Sequence, residues 1–127
     1  MDESERKVHP QSLPNCAQAE IKREKLEGYA LNPAHDIGKH KAQVFKNVLG
    51  FDQSDWELLK QEILQALPYY KAVSQPEGPW GKKYEVVVPI TGPNGQTANV
   101  ETAWIIRPGT DYPSLVTALI PKKRSEP

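Results

Sequence analysis

The stretch LNPAHDIGKHKAQVFKNVLGF, residues 31–51, carries His35 and His40, three lysines and an Asn-Pro turn directly before an apolar, periodic run. Histidine can move a proton near neutral pH, and lysine can hold charge that develops on a phosphate oxygen. The backbone N–H groups of a helix start also attract anions. Lys39, Lys41 and Lys46 against Asp36 leave this segment with a local positive surplus. Together these residues point to a phosphodiester-handling site. The plainer alternative is a solvated lysine face beside a hydrogen-bonded loop histidine. His35 and His40 are five apart, which is not the i, i+4 pairing of a helical zinc site, so no metal and no cofactor are expected. The P-loop glycine pattern and the G-x-S-x-G motif are both missing.

Thr102, Trp104, Arg107 and Thr117 are the polar and aromatic residues that a sheet could add. Thr102 and Trp104 alternate onto one strand face. If that face meets the helices, Trp104 is core and Thr102 hydrogen-bonds inside it. If it is open, the pair forms a groove where a base could stack. The core placement is favoured for Trp104. Trp80, in a Gly/Pro-rich loop, is the better exposed aromatic, or a lid on the core.

These residues need elements to position them. Residues 1–15 read as a polar tail or surface strap. Residues 16–27, CAQAEIKREKLE, read as a short helix stopped by Gly28. Asn32-Pro33 turns the chain, because proline keeps the preceding residue out of the helical region. A helix follows from about residue 37 to Leu49, with Ala42, Phe45 and Leu49 at helical spacing and Gly50 as its stop. Ser54 and Glu57 fit a capping box for a third helix, with Leu59, Ile63 and Leu67 on its apolar face and Pro68 at its end. Residues 71–82 read as a loop. The period then changes to two: Tyr84 to Ile90, Thr97 to Arg107 and Ser114 to Ile120 read as strands separated by Gly92-Pro93-Asn94-Gly95 and Pro108-Gly109 turns. The fold class is therefore α+β, with N-terminal helices followed by an antiparallel β-meander. The organisation expected is a tail and short helix over 1–29, one domain over 30–121, and a basic tail over 122–127.

Hydrophobic residues make up 38% of the 127, enough for one lean core. Sixteen basic residues balance 16 acidic ones, so any attraction to phosphate must come from a local patch. With Cys16 as the single cysteine, an internal disulfide is impossible, and a reducing cytoplasm fits. No apolar run approaches membrane-helix length, and the N-terminus does not resemble a secretory signal.

The order LNPAHDIGKHKAQVFKNVLGF, a capped helix, KYEVVVPITGPNGQTANVETAWIIRPG and YPSLVTALI resembles a bacterial domain family of unknown function. Its members occur as small proteins and as C-terminal modules of toxin-like and phage-related proteins. The resemblance covers about residues 30–120. The family is remotely similar to the small ribonucleases that include barnase, EndoU, colicin-type tRNases and RelE. That resemblance implies a RelE/barnase-like layout and metal-independent RNA cleavage. His35 matches the motif histidine and would be general acid or base, and Lys41 matches the motif lysine and would stabilise charge. Thr102 and Thr117 would orient phosphate or ribose, while Lys39, His40, Trp104 and Arg107 would bind substrate. An immunity or antitoxin protein is the implied partner. Two other readings stand beside it: a non-catalytic module that docks a protein or a nucleic acid, and a bare interaction subunit in which Asn32 and His35 only cap the helix start.

Overall fold

The computed structural model describes residues 7–121, so the basic tail expected at 122–127 and the first residues of the N-terminal tail lie outside the described residues. Four antiparallel strands form one sheet in the order β1-β2-β3-β4, with β1 Ala72–Gly78, β2 Gly81–Thr91, β3 Thr97–Ile106 and β4 Ser114–Leu119. The helical segments precede it, so the chain is α+β. Val86, Val88, Ile90, Val100, Thr102 and Trp104 are buried at alternate positions of β2 and β3. Lys83, Pro89, Thr97 and Asn99, on the opposite parity, are exposed. This is the one-sided burial that strand alternation produces.

The strand β1 replaces the loop expected over 71–82. Its sequence, AVSQPEG, has no apolar alternation, and its five central residues are exposed. An edge strand needs only backbone pairing on one side. Pro76 sits where the register with β2 shifts between Gln75 and Gly78, a position that needs no amide donor.

Helix α2, Lys39–Leu49, buries Ala42, Phe45 and Leu49 and ends at Gly50 in the left-handed conformation. Helix α3, Trp56–Ala66, buries Leu59 and Ile63. Its entry differs from the Ser54–Glu57 capping box. A 3-10 turn, Gln53–Asp55, precedes it, and Asp55 Oδ2 accepts from the Asp52 N–H at 2.8 Å. Buried Phe51 anchors the chain just before this turn, so the turn begins earlier and takes Ser54 into its interior.

The N-terminal segment is part of the core. Leu13, Ile21 and Leu26 are buried among Phe45, Leu59 and Leu115. Glu20 pairs with Ser114 along the free edge of β4, through Glu20 N–H to Pro113 O and Leu115 N–H to Glu20 O. The short helix is not stopped by Gly28. Helix α1, Arg23–Lys25, runs directly into a π-turn over Leu26–Ala30. Leu26, Ala30 and Leu31 are buried, and their burial carries the chain through Gly28 as one wide turn.

Deleting a core side chain should be costly, because the cavity that remains relaxes only in part. Leu59→Ala is expected to lower stability by about 2–5 kcal/mol. Chemical denaturation with an unchanged midpoint would show that Leu59 does not pack as described.

Candidate functional site

The cleft lies between the π-turn, the start of α2 and the edge strand β4. Lys25, Tyr29, His35, Lys41 and Thr117 line it, with Glu24, Gly28, Val116 and Leu119, and its volume is about 580 Å³. Four features of the chain place these side chains.

The first is His35 itself. The His35 carbonyl accepts the amide of Lys39 at 3.0 Å, the first helical bond of α2. Its Nδ1 accepts the N–H of Ile37 at 3.0 Å and of Gly38 at 2.9 Å. His35 thus caps the turn that leads into α2, its ring nitrogen taking two amides as a Ser or Asp oxygen does at a helix start. Because Nδ1 accepts, the neutral ring carries its proton on Nε2. Nε2 has no protein partner among the described residues. The second feature is Asn32, whose Oδ1 accepts the Ala34 N–H at 2.9 Å and whose Nδ2 donates to Gly28 O at 3.3 Å. These bonds tie the loop to the π-turn.

The third is Gly38. A Cβ at this position would lie 2.3 Å from the Tyr29 carbonyl oxygen and 3.1 Å from its ring. Only glycine lets the α2 start come this close to the π-turn. Across that contact the Tyr29 and His35 rings meet edge to face at 4.9 Å. Lys41 Nζ donates to the Tyr29 hydroxyl at 3.1 Å and lies 5.1 Å from the centre of its ring. The fourth is a β-bulge in β4. Trp104 pairs with Leu115 and Ala103 with Thr117, so Val116 is an extra residue. In an unbulged strand Leu115 and Thr117, two apart, would face the same way; with the bulge Leu115 enters the core and Thr117 turns into the cleft.

The charges are arranged to leave Lys41 free. Arg23 pairs with Glu27 at 2.7 Å, and Lys46 with Asp52 at 2.9 Å. Its hydrogen bonds from Arg23 hold the Glu27 carboxyl below the usual carboxylate range, and the bond to Asp52 raises the Lys46 ammonium. Lys41 has no carboxylate within ion-pair distance among the described residues. Thr117 Oγ1 is buried and has no hydrogen-bond partner among the described residues. An ammonium without a counter-ion and a buried hydroxyl without a partner both gain from an oxygen-rich guest, since an unmade buried hydrogen bond costs about 1–3 kcal/mol.

A family model described as a domain of unknown function (DUF6883) matches residues 12–122. The chain belongs to the DUF6883 family. No curated protein and no solved structure matches it. The DUF6883 match takes in the whole cleft. It also reaches further toward the N-terminus than the motif pattern over 30–120, consistent with Leu13, Ile21 and Leu26 in the core.

Of the residues expected at a site in this DUF6883 domain, His35, Lys41 and Thr117 come together. Thr102 and Trp104 do not. Both are buried on the helix-facing side of the sheet; Thr102 Oγ1 donates to Val86 O at 2.7 Å and accepts the Trp104 indole N–H at 2.8 Å. Thr102 has no hydroxyl proton left for a substrate, so its expected catalytic role is withdrawn, as is the binding role of Trp104. Lys39 and His40 line a separate hollow of about 330 Å³ with Lys46 and Asp52. Arg107 is exposed in the β3–β4 turn, where its carbonyl takes the amide and hydroxyl of Thr110. Trp80 is 71% exposed in the β1–β2 turn. The expected open anion cradle at the helix start is also corrected, since the Ile37 and Gly38 amides already bond to His35. Among the described residues, no three His, Cys, Asp or Glu side chains gather closely enough to hold a metal.

Sequence reasoning missed Tyr29 and the rim residues Glu24 and Lys25. Tyr29 lies just after Gly28, read as a helix stop, so nothing local marked its hydroxyl. The one available signal was Gly38, a glycine at a helix start, which implies a close backbone neighbour.

Two substitutions separate architecture from chemistry. His35→Ala is expected to lose about 1 kcal/mol of capping, while His35→Asn, which can still accept amide bonds, recovers most of it. Thermal melts in which Ala and Asn behave alike would refute the cap. Thr102→Val should cost about 1–3 kcal/mol by orphaning the Trp104 N–H, and tryptophan emission should report the change. A Thr102→Val protein as stable as the parent would overturn that assignment.

Proposed function

We propose that the cleft binds a phosphodiester of RNA and cleaves it without a metal ion, as a ribonuclease-like toxin domain held in check by an immunity or antitoxin protein. The observation that carries this reading is the Lys41–Tyr29 pair. Lys41 donates to the phenol oxygen at 3.1 Å, so the phenol's own proton is free for another acceptor. Tyr29 then serves as general acid, and the adjacent ammonium stabilises the phenolate it leaves behind.

The reaction proceeds as follows. The ribose 2′-hydroxyl loses its proton to the Glu24 carboxylate, which lines the same cleft. The 2′-oxygen attacks phosphorus, and the bond to the 5′-oxygen breaks as Tyr29 gives that oxygen its proton. The products are a 2′,3′-cyclic phosphate and a 5′-hydroxyl. His35 keeps a positioning role: its Nε2–H donates to a phosphate oxygen while Nδ1 holds the helix start. It is not the general base, because Nε2 could accept a proton only if Nδ1 carried one against two amide donors. Thr117 supplies a hydroxyl to a phosphate or ribose oxygen.

The same cap favours a second reading. With its one acceptor nitrogen engaged, His35 is suited to binding without chemistry, which is what a module docking nucleic acid needs.

The test uses the full chain and a labelled RNA. Cleavage to cyclic-phosphate ends is expected, slowed about 100- to 1,000-fold by Lys41→Ala and about 100- to 10,000-fold by Tyr29→Phe, with melting temperatures nearly unchanged. Binding without cleavage, lost in Lys41→Ala and kept in Tyr29→Phe, would establish the binding module instead. A chain that neither binds nor cleaves RNA would sink both readings.

A further inference from the structure

A groove of about 910 Å³ adjoins the cleft and shares Lys41 and Leu119 with it. Val44 and Val48 form one wall, 36% and 37% exposed. By spacing they belong with the apolar stripe of α2, yet they face this groove rather than the core. Asn99 and Ile120 stand across from them, and His40 sits at the rim that continues to Lys41. The Asn99 side-chain amide makes no hydrogen bond among the described residues. β3 runs past the end of β4 here: Glu101 is the first residue to pair with it, so among the described residues Thr97 to Val100 pair only with β2.

We infer that this groove is a nucleobase subsite, which receives one base of the RNA whose phosphate lies in the cleft. The inference rests on the reading of the cleft as a phosphodiester site. Three features select a base as occupant. The groove is continuous with the phosphate-facing lysine, so a nucleotide anchored there projects its base along the shared wall. Its volume and apolar walls suit a small planar ring system, with a few polar groups to orient it. Those groups are a free carboxamide and an unpaired strand edge, and a carboxamide can pair with a base edge through both its donor and its acceptor. The imidazole of His40 adds a face on which a base can stack.

The experiment compares cleavage-blocked 2′-O-methyl pentanucleotides of each base with an abasic ribose-phosphate oligomer of the same length, by fluorescence anisotropy at one salt concentration. At least one base-bearing oligomer should bind the parent chain about tenfold or more tightly than the abasic one. Val44→Asn and Asn99→Ala should each reduce that preference and leave abasic affinity unchanged. Lys41→Ala should weaken both kinds of oligomer. Equal binding of base-bearing and abasic oligomers, or a preference that survives both groove substitutions, would overturn the subsite while leaving the cleft standing. If the parent chain binds neither oligomer, the cleft reading fails and the subsite fails with it.

Discussion

The cleft depends on one steric constraint, the contact of Gly38 with the Tyr29 backbone. No side chain fits between the start of α2 and the π-turn, since a Cβ there would overlap the Tyr29 carbonyl. That approach sets both His35 and Lys41 against the tyrosine, one in edge-to-face contact with its ring and the other at its hydroxyl. It also explains the irregular entry to the helix. Asn32 fixes the loop to the π-turn, and His35 satisfies the two amides that Gly38 and Ile37 would otherwise leave open. Separating the two segments by one methyl group would disturb the cap, the aromatic contact and the ammonium–phenol bond together.

The parts of the fold that follow from strong periodicity were legible in the sequence. Phe45, Leu49, Leu59, Ile63, Val86 and Val88 form core because their spacing leaves no other face to bury. Other parts were not legible, for physical reasons. β1 is held by backbone pairing at an exposed edge, which asks nothing of its side chains. The π-turn comes from tertiary burial of Leu26 and Ala30, which overrides the stop signal of Gly28. The Asp52–Asp55 turn precedes Ser54 because buried Phe51 decides where the chain turns. At the cleft, His35, Lys41 and Thr117 could be picked by residue type and motif. Thr102 could not be separated from them, because alternation does not say which face of a strand meets the helices. Tyr29 carried no signal of its own.

The geometry also divides labour differently from what residue types suggest. A histidine and a lysine near a helix start invite an acid–base assignment to the imidazole. Here one ring nitrogen is committed to two amides, and that commitment converts a proton shuttle into a fixed donor. In the reading proposed above, the groups that would carry chemistry are the phenol beside the Lys41 ammonium and the carboxylate on the rim. The bulge at Val116 adds to this arrangement, since the same extra residue buries Leu115 and delivers Thr117 to the cleft. Zero net charge over the whole chain is compatible with an anion site of this kind, because among the described residues Arg23 and Lys46 are paired with carboxylates and Lys41 is not.

The most direct measurement is nitrogen-15 NMR of the His35 ring and the Lys41 ammonium in the full chain, free and with a cleavage-blocked RNA. The account predicts a bare Nδ1 and a protonated Nε2 in the free protein, followed by saturable shifts of His35 Nε2 and Lys41 Nζ together as RNA is added. A His35 ring protonated at Nδ1 in the free neutral protein, or a Lys41 signal that stays unmoved at saturating RNA, would contradict it.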